Sequence, residues 1–168
     1  MLEKISHLEI GEPQKFLNFC EIVSCIIKHC GKNSATSYTL LKTIREATLL
    51  STPCKMLNGS NKNNAALISP EALAIKEAGK ESNNLILEHG VPVKVIMDKI
   101  QEYNEPTPVD IAIIIQSMSA LAVITKEEGK YMSKLGIKSK MPDDWDKQNK
   151  WIRYERANIQ LIPNPYKR

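Results

Sequence analysis

The stretch Thr107-Pro108-Val109-Asp110-Ile111-Ala112-Ile113-Ile114-Ile115-Gln116-Ser117-Met118-Ser119-Ala120-Leu121-Ala122-Val123-Ile124-Thr125-Lys126-Glu127-Glu128 spells out a helix, a strand and the start of a second helix. Thr107 offers a side-chain oxygen to free backbone amides, and Pro108 has no amide to satisfy at a first helical position. Apolar residues then occupy most of the circumference, Ile111, Ile114, Ile115 and Met118 among them, so this helix is predicted to be central. Ala122-Val123-Ile124 is short and rich in β-branched residues, the composition of a strand. Thr125-Lys126-Glu127-Glu128 is a Thr-x-x-Glu capping box, in which hydroxyl and carboxylate satisfy each other's backbone donors. The helix it opens is predicted to run to Leu135 and to stop at Gly136.

The same punctuation extends outward. A helix is predicted from Pro13 to about Cys30, with Phe16, Leu17, Phe19, Cys20, Val23, Ile26 and Ile27 at helical spacing and Gly31 free to end it. A second starts after Ser34 or Ser37, carries Leu40, Leu41, Ile44, Ala47 and Leu50, and is closed by Pro53. Residues 58–64 form a polar connection. Ser69-Pro70-Glu71 opens a helix to about Gly79, Leu85 to Leu87 reads as a strand, and Pro92 starts a helix ending by Asn104. A last helix is expected after Pro142-Asp143, carrying Trp145, Trp151 and Tyr154, with a loose tail beyond Ile162. The fold class is therefore mainly α, a helical domain with one small two-stranded β element. The expected organisation is an N-terminal helical hairpin over 1–57 and a main helical domain with short strands over 65–168, or one single domain over 1–168.

Composition narrows the setting. The 168 residues are 42% hydrophobic and 25% charged, so wholesale disorder is not expected, and an aromatic share of 5% leaves few rings for stacking bases. The net charge of +4 permits contact with DNA or RNA without demanding it, because Lys138 and Lys140 are followed at once by Asp143, Asp144 and Asp146. No apolar run reaches the roughly 18 residues of a membrane span, so no membrane partner is expected. The first residues carry no secretory signal pattern. Three of the four cysteines, Cys20, Cys25 and Cys30, fall on one predicted helix, a poor disulfide framework, so with Cys54 they are expected as reduced thiols in a cytoplasmic protein. There is no P-loop, no GxGxxG and no Gly-x-Ser-x-Gly.

One stretch joins chemistry to this framework: Leu85-Ile86-Leu87-Glu88-His89-Gly90-Val91-Pro92 ends a short strand on an acidic residue, a histidine and, three residues on, a proline. It resembles the first motif of HNH-type (ββα-metal) nucleases. Leu121 to Gly129, a strand followed by a capped helix, resembles that family's closing element. The resemblance implies a divalent-metal-dependent endonuclease using Mg or Mn. His89 would be general base on a water, and Glu88 with Glu127 or Glu128 would hold the metal. It equally admits a degenerate, inactive relative that keeps the scaffold and binds nucleic acid. Two departures bear on this choice. Gly129 stands where the family's helix normally contributes a histidine, and two predicted helices with Asn104 as their only Asn separate the pieces, where the family has a loop carrying an Asn.

Other candidates have plainer readings. Cys25 and His29 share a helix face and could ligate zinc, yet two ligands are not a site, and small cysteines on an apolar helix are ordinarily structural. Arg45 and Glu46 read as solvated or paired. Lys147, Lys150, Trp151, Arg153 and Tyr154 could stack a base and grip phosphate, or pack an amphipathic helix with its cations outward. Outside the nuclease class, the chain reads as a non-enzymatic helical binding protein, such as a phage or bacterial defence-related factor. It would capture a partner protein or small ligand, or form a homo-oligomer, through helices 93–104 and 108–120.

Overall fold

The computed structural model describes residues 13–30, 33–51, 65–79 and 82–166. In chain order these form α1 (Pro13–His29), α2 (Ser34–Leu50), β1 (Leu67–Ile68), α3 (Pro70–Glu77), a 3₁₀ turn (Ser82–Asn84), β2 (Leu85–His89), α4 (Val93–Gln101), α5 (Pro108–Met118), β3 (Leu121–Thr125), α6 (Lys126–Lys134), α7 (Ile152–Arg156) and β4 (Ile162–Pro163). The protein is mainly helical with a small sheet. The sequence expectations for Gly31, Pro53, Cys54 and residues 58–64 lie outside the described residues. No helix among the described residues is long and apolar enough to cross a membrane.

The chain divides into two compact units, one drawn from Met1–Pro53 and Val93–Ser119, the other from Cys54–Pro92 and Ala120–Arg168. This differs from the expected division into 1–57 and 65–168. The hairpin of α1 and α2 has apolar stripes (Phe16, Leu17, Cys20 and Val23; Leu40, Ile44, Ala47 and Leu50) that two helices alone cannot cover. Helices α4 and α5, from the middle of the chain, complete that core with Ile96, Ile100, Ile111, Ala112 and Ile115. Each large aliphatic or aromatic side chain so buried contributes about 1.5–3 kcal/mol. Helix α5 is nevertheless not apolar-buried all round, since Ile113 is 48% exposed. Its start is the expected cap made explicit: Asp110 N donates to Thr107 Oγ1 at 3.2 Å, and Thr107 N donates to Asp110 Oδ2 at 2.9 Å. Ser24 Oγ on α1 also donates to the Pro106 carbonyl at 2.7 Å, tying the approach to α5 into this unit.

The second unit is a four-stranded sheet in the order β2-β3-β1-β4. Strand β3 pairs antiparallel with β2 and parallel with β1, and β1 pairs antiparallel with β4. Two strands were expected; β1 and β4 are two residues each and exist only through their long-range partners. As far as Tyr166 the tail is accordingly held rather than loose. Asn164 N donates to the Ala66 carbonyl at 2.9 Å, its Nδ2 donates to the Ala65 carbonyl at 2.9 Å, and Lys76 Nζ lies 4.5 Å from the centre of the Tyr166 ring. Helix α6 packs on β2 and β3, where Ala122, Ile124 and Met132 form a core with Tyr154, Ala157 and Ile159. Its stop is as expected, with Gly136 at φ +71.

The last helix is shorter than expected, covering only Ile152–Arg156. Asp146 Oδ1 accepts from the amides of Gln148 and Asn149, both at 2.8 Å, and Lys147 sits at φ 65, so the chain turns where a helix would have continued. Asn149 then caps the approach to α7 by accepting from Trp151 N at 2.9 Å.

The helical unit gives a direct chemical readout. Burial, aided by Glu21, pushes the Cys20 thiol from 9.0 up to about 12, whereas Cys25 and Cys30 are exposed. Alkylation of the native protein near pH 8, followed by peptide mapping, is expected to label Cys25 and Cys30 and to spare Cys20 until denaturant is added. Because folding raises this pKa, the neutral thiol's contribution to stability is complete below pH 9.0 and is lost as pH climbs toward about 12. Replacing Cys20 by Ala should therefore flatten the alkaline limb of a stability-against-pH curve.

Candidate functional site

Glu88 and His89 close strand β2, and the ladder fixes what they face. His89 lies opposite Leu121, Glu88 opposite Ala122 and Ile86 opposite Ile124. Successive strand residues point to opposite sides of a sheet. Ile86 is on the side covered by α6, since a Cβ at Gly129 would come 2.6 Å from Ile86 Cδ1. Glu88 shares that side, and His89 belongs to the other. The two neighbours therefore diverge. His89 is also only 5% exposed, a poor position for drawing a proton from a solvent water.

The end of this strand is held by a buried cation. Arg153, 0% exposed, donates from Nε to the Gly90 carbonyl at 3.0 Å and from Nη2 to the His89 carbonyl. From Nη1 it reaches the carbonyls of Ile137 at 2.9 Å and Lys138 at 2.5 Å. Burial pulls its pKa below the ordinary value, opposed by the neighbouring Tyr154 and Glu88. Tyr154, packed edge to face with Trp151, is pushed well above the ordinary phenol range, chiefly by burial. Gly90 completes the arrangement through space, not through an unusual backbone angle: a Cβ there would lie 2.8 Å from the Lys150 carbonyl oxygen and 3.1 Å from Trp151 Cζ3.

Glu127 and Glu128 lie beyond the other end of the ladder. Thr125 pairs with Leu85, four residues from His89 along β2. At about 3.3 Å per residue this separates the two ends by roughly 13 Å. Glu128 is engaged locally: its Oε2 accepts from Thr125 N at 2.7 Å and from Ser69 Oγ at 2.8 Å, so one carboxylate joins the starts of α3 and α6. Ser69 Oγ meanwhile accepts from Ala72 N at 3.2 Å. Glu127 is exposed, beside Lys130 at 3.7 Å. Glu88, His89, Glu127 and Glu128 thus do not fit one Mg or Mn centre. Gly129, where the expected resemblance would require a ligand, faces Ile86. Among the described residues no three His, Cys, Asp or Glu side chains are grouped to hold a metal ion. Cys25 and His29 on α1 and Cys30 just beyond it are exposed and do not form such a group.

The expected nucleic-acid-gripping set also divides. Arg153 and Tyr154 belong to the interior, the first bonded to buried main-chain carbonyls and the second packed in the core with Ala122 and Ile124. Trp151 is half-buried in the same core. Lys150 is half-buried, and burial lowers its pKa. Lys147 remains exposed, on the loop with Lys138 and Lys140. Arg45 and Glu46 are exposed, as solvated residues would be.

A feature not anticipated from the sequence lies where α3 and α6 begin. Pro70, Glu71, Glu127, Glu128, Tyr131 and Glu155, with the segment from Ala157 to Gln160, line an open cleft of ≈ 900 Å³. Its acidic groups come from the first turns of three helices that look independent in sequence: Glu71 on α3, Glu127 and Glu128 on α6, and Glu155 on α7. The parallel pairing of β1 and β3 brings the starts of α3 and α6 to the same end of these two central strands. Such a surface attracts cations.

Compared with known proteins, the chain matches no family model, no curated protein and no solved structure.

Two sets of variants test this geometry. Arg153→Met leaves several carbonyls without their donor and is expected to lower unfolding free energy in urea by ~3 kcal/mol or more, against ~0.5 kcal/mol or less for Lys147→Ala. Gly90→Ala should cost ~1–3 kcal/mol through overpacking. In the second set, Ser69→Ala and Glu128→Ala should each cost ~1 kcal/mol, and their double mutant should reveal a coupling of at least ~0.5 kcal/mol. Strict additivity would contradict a direct Ser69–Glu128 bond.

Proposed function

We propose that this chain acts by binding rather than by hydrolysis, as an inactive nuclease-like protein whose partner is nucleic acid. The observation that carries the reading is the β2–β3 register, which separates Glu88 and His89 from Glu127 and Glu128. The scaffold likeness supports the nuclease-like part: two antiparallel strands followed by a helix packed on both, with Glu88-His89 ending the first strand. The chemical positions support the inactive part. His89 is buried, Glu128 serves two helix starts, and Gly129 offers no ligand.

Contact with nucleic acid would come from the long segment between α6 and α7. There Lys138, Lys140 and Lys147 are exposed, Arg156 pairs with Asp144, and Arg153 anchors the main chain from beneath. Cations of this kind track the phosphate backbone and read little sequence. Affinity should therefore be modest, with a dissociation constant on the order of 10⁻⁶ M or weaker at physiological salt, and should fall steeply as salt rises.

Fluorescence anisotropy with labelled duplex and single-stranded oligonucleotides, paired with a plasmid-nicking assay in Mg²⁺ and Mn²⁺, tests both halves. The expected result is salt-sensitive binding without nicking. Lys138→Ala and Lys147→Ala should each reduce the slope of log affinity against log salt by about 1. Metal-dependent nicking that disappears in a folded His89→Ala variant would overturn the inactive reading and restore the hydrolytic one. Failure of every oligonucleotide to bind would overturn nucleic acid as the partner.

A further inference from the structure

No further inference is drawn: the strongest candidate, the acidic cleft where α3 and α6 begin in the sheet unit, is a group of carboxylates for which nothing in the structure shows what would fill it.

Discussion

A guanidinium held inside a protein must find oxygen partners or destabilise the fold by several kcal/mol. Arg153 finds its partners in the main chain. By reaching His89 and Gly90 on one side and Ile137 and Lys138 on the other, it joins the end of β2 to the segment leaving α6. Those carbonyls lie at the last residue of β2 or just beyond the ends of β2 and α6, where regular structure runs out and donors must come from elsewhere. Main-chain acceptors also make the arrangement specific to a planar, five-donor group; a lysine ammonium at the same depth could not span them. Around this bond Tyr154 and Trp151 pack, and Gly90 must remain without a side chain. The most chemical-looking corner of the sequence is thus largely an architectural one.

What could be read in the sequence, and what could not, follows the range of the interactions concerned. Helix starts at Ser69, Thr107 and Thr125 are set by side chains bonding to amides three residues away, so a short window contains the whole signal. Strands β1 and β4 carry no such window: Leu67 is a strand residue because Ala122 and Pro163 lie beside it. The overestimated last helix shows the converse. Trp151 and Tyr154 do share a helical spacing, but Asp146 diverts the amides of Gln148 and Asn149 a turn earlier. Arg153 was legible only as a surface cation, since its carbonyl partners leave no trace in residue identity.

The candidate site was legible to the same degree. Glu88-His89 stood out because charge and imidazole end an apolar strand, and both residues do sit where that strand ends. Adjacency in sequence becomes divergence in a pleated strand, however, so a motif that reads as a pair is divided between two faces. Glu127 and Glu128 show the opposite effect: each belongs to an ordinary capped helix start, yet parallel pairing of two short strands gathers them with Glu71 beside one cleft. The burial of Arg153 and Tyr154 likewise moved two supposed ligand contacts into the core, leaving exposed lysines on the neighbouring segment as the chemically available groups.

The interruption of the β2–β3 hairpin by residues 93–119 also constrains how the chain acquires its structure. Gly90 N donates to the Ala120 carbonyl at 2.7 Å, closing a span that an ordinary hairpin would close with a few turn residues. Bringing together the ends of about 30 unstructured residues costs on the order of 3 kcal/mol of chain entropy, and prior formation of α4 and α5 shortens that search. Strand pairing should therefore trail helix formation in time. During synthesis on the ribosome each unit waits for a segment distant from its first elements: the helical one for Pro108–Met118, and the sheet for Ile162–Pro163.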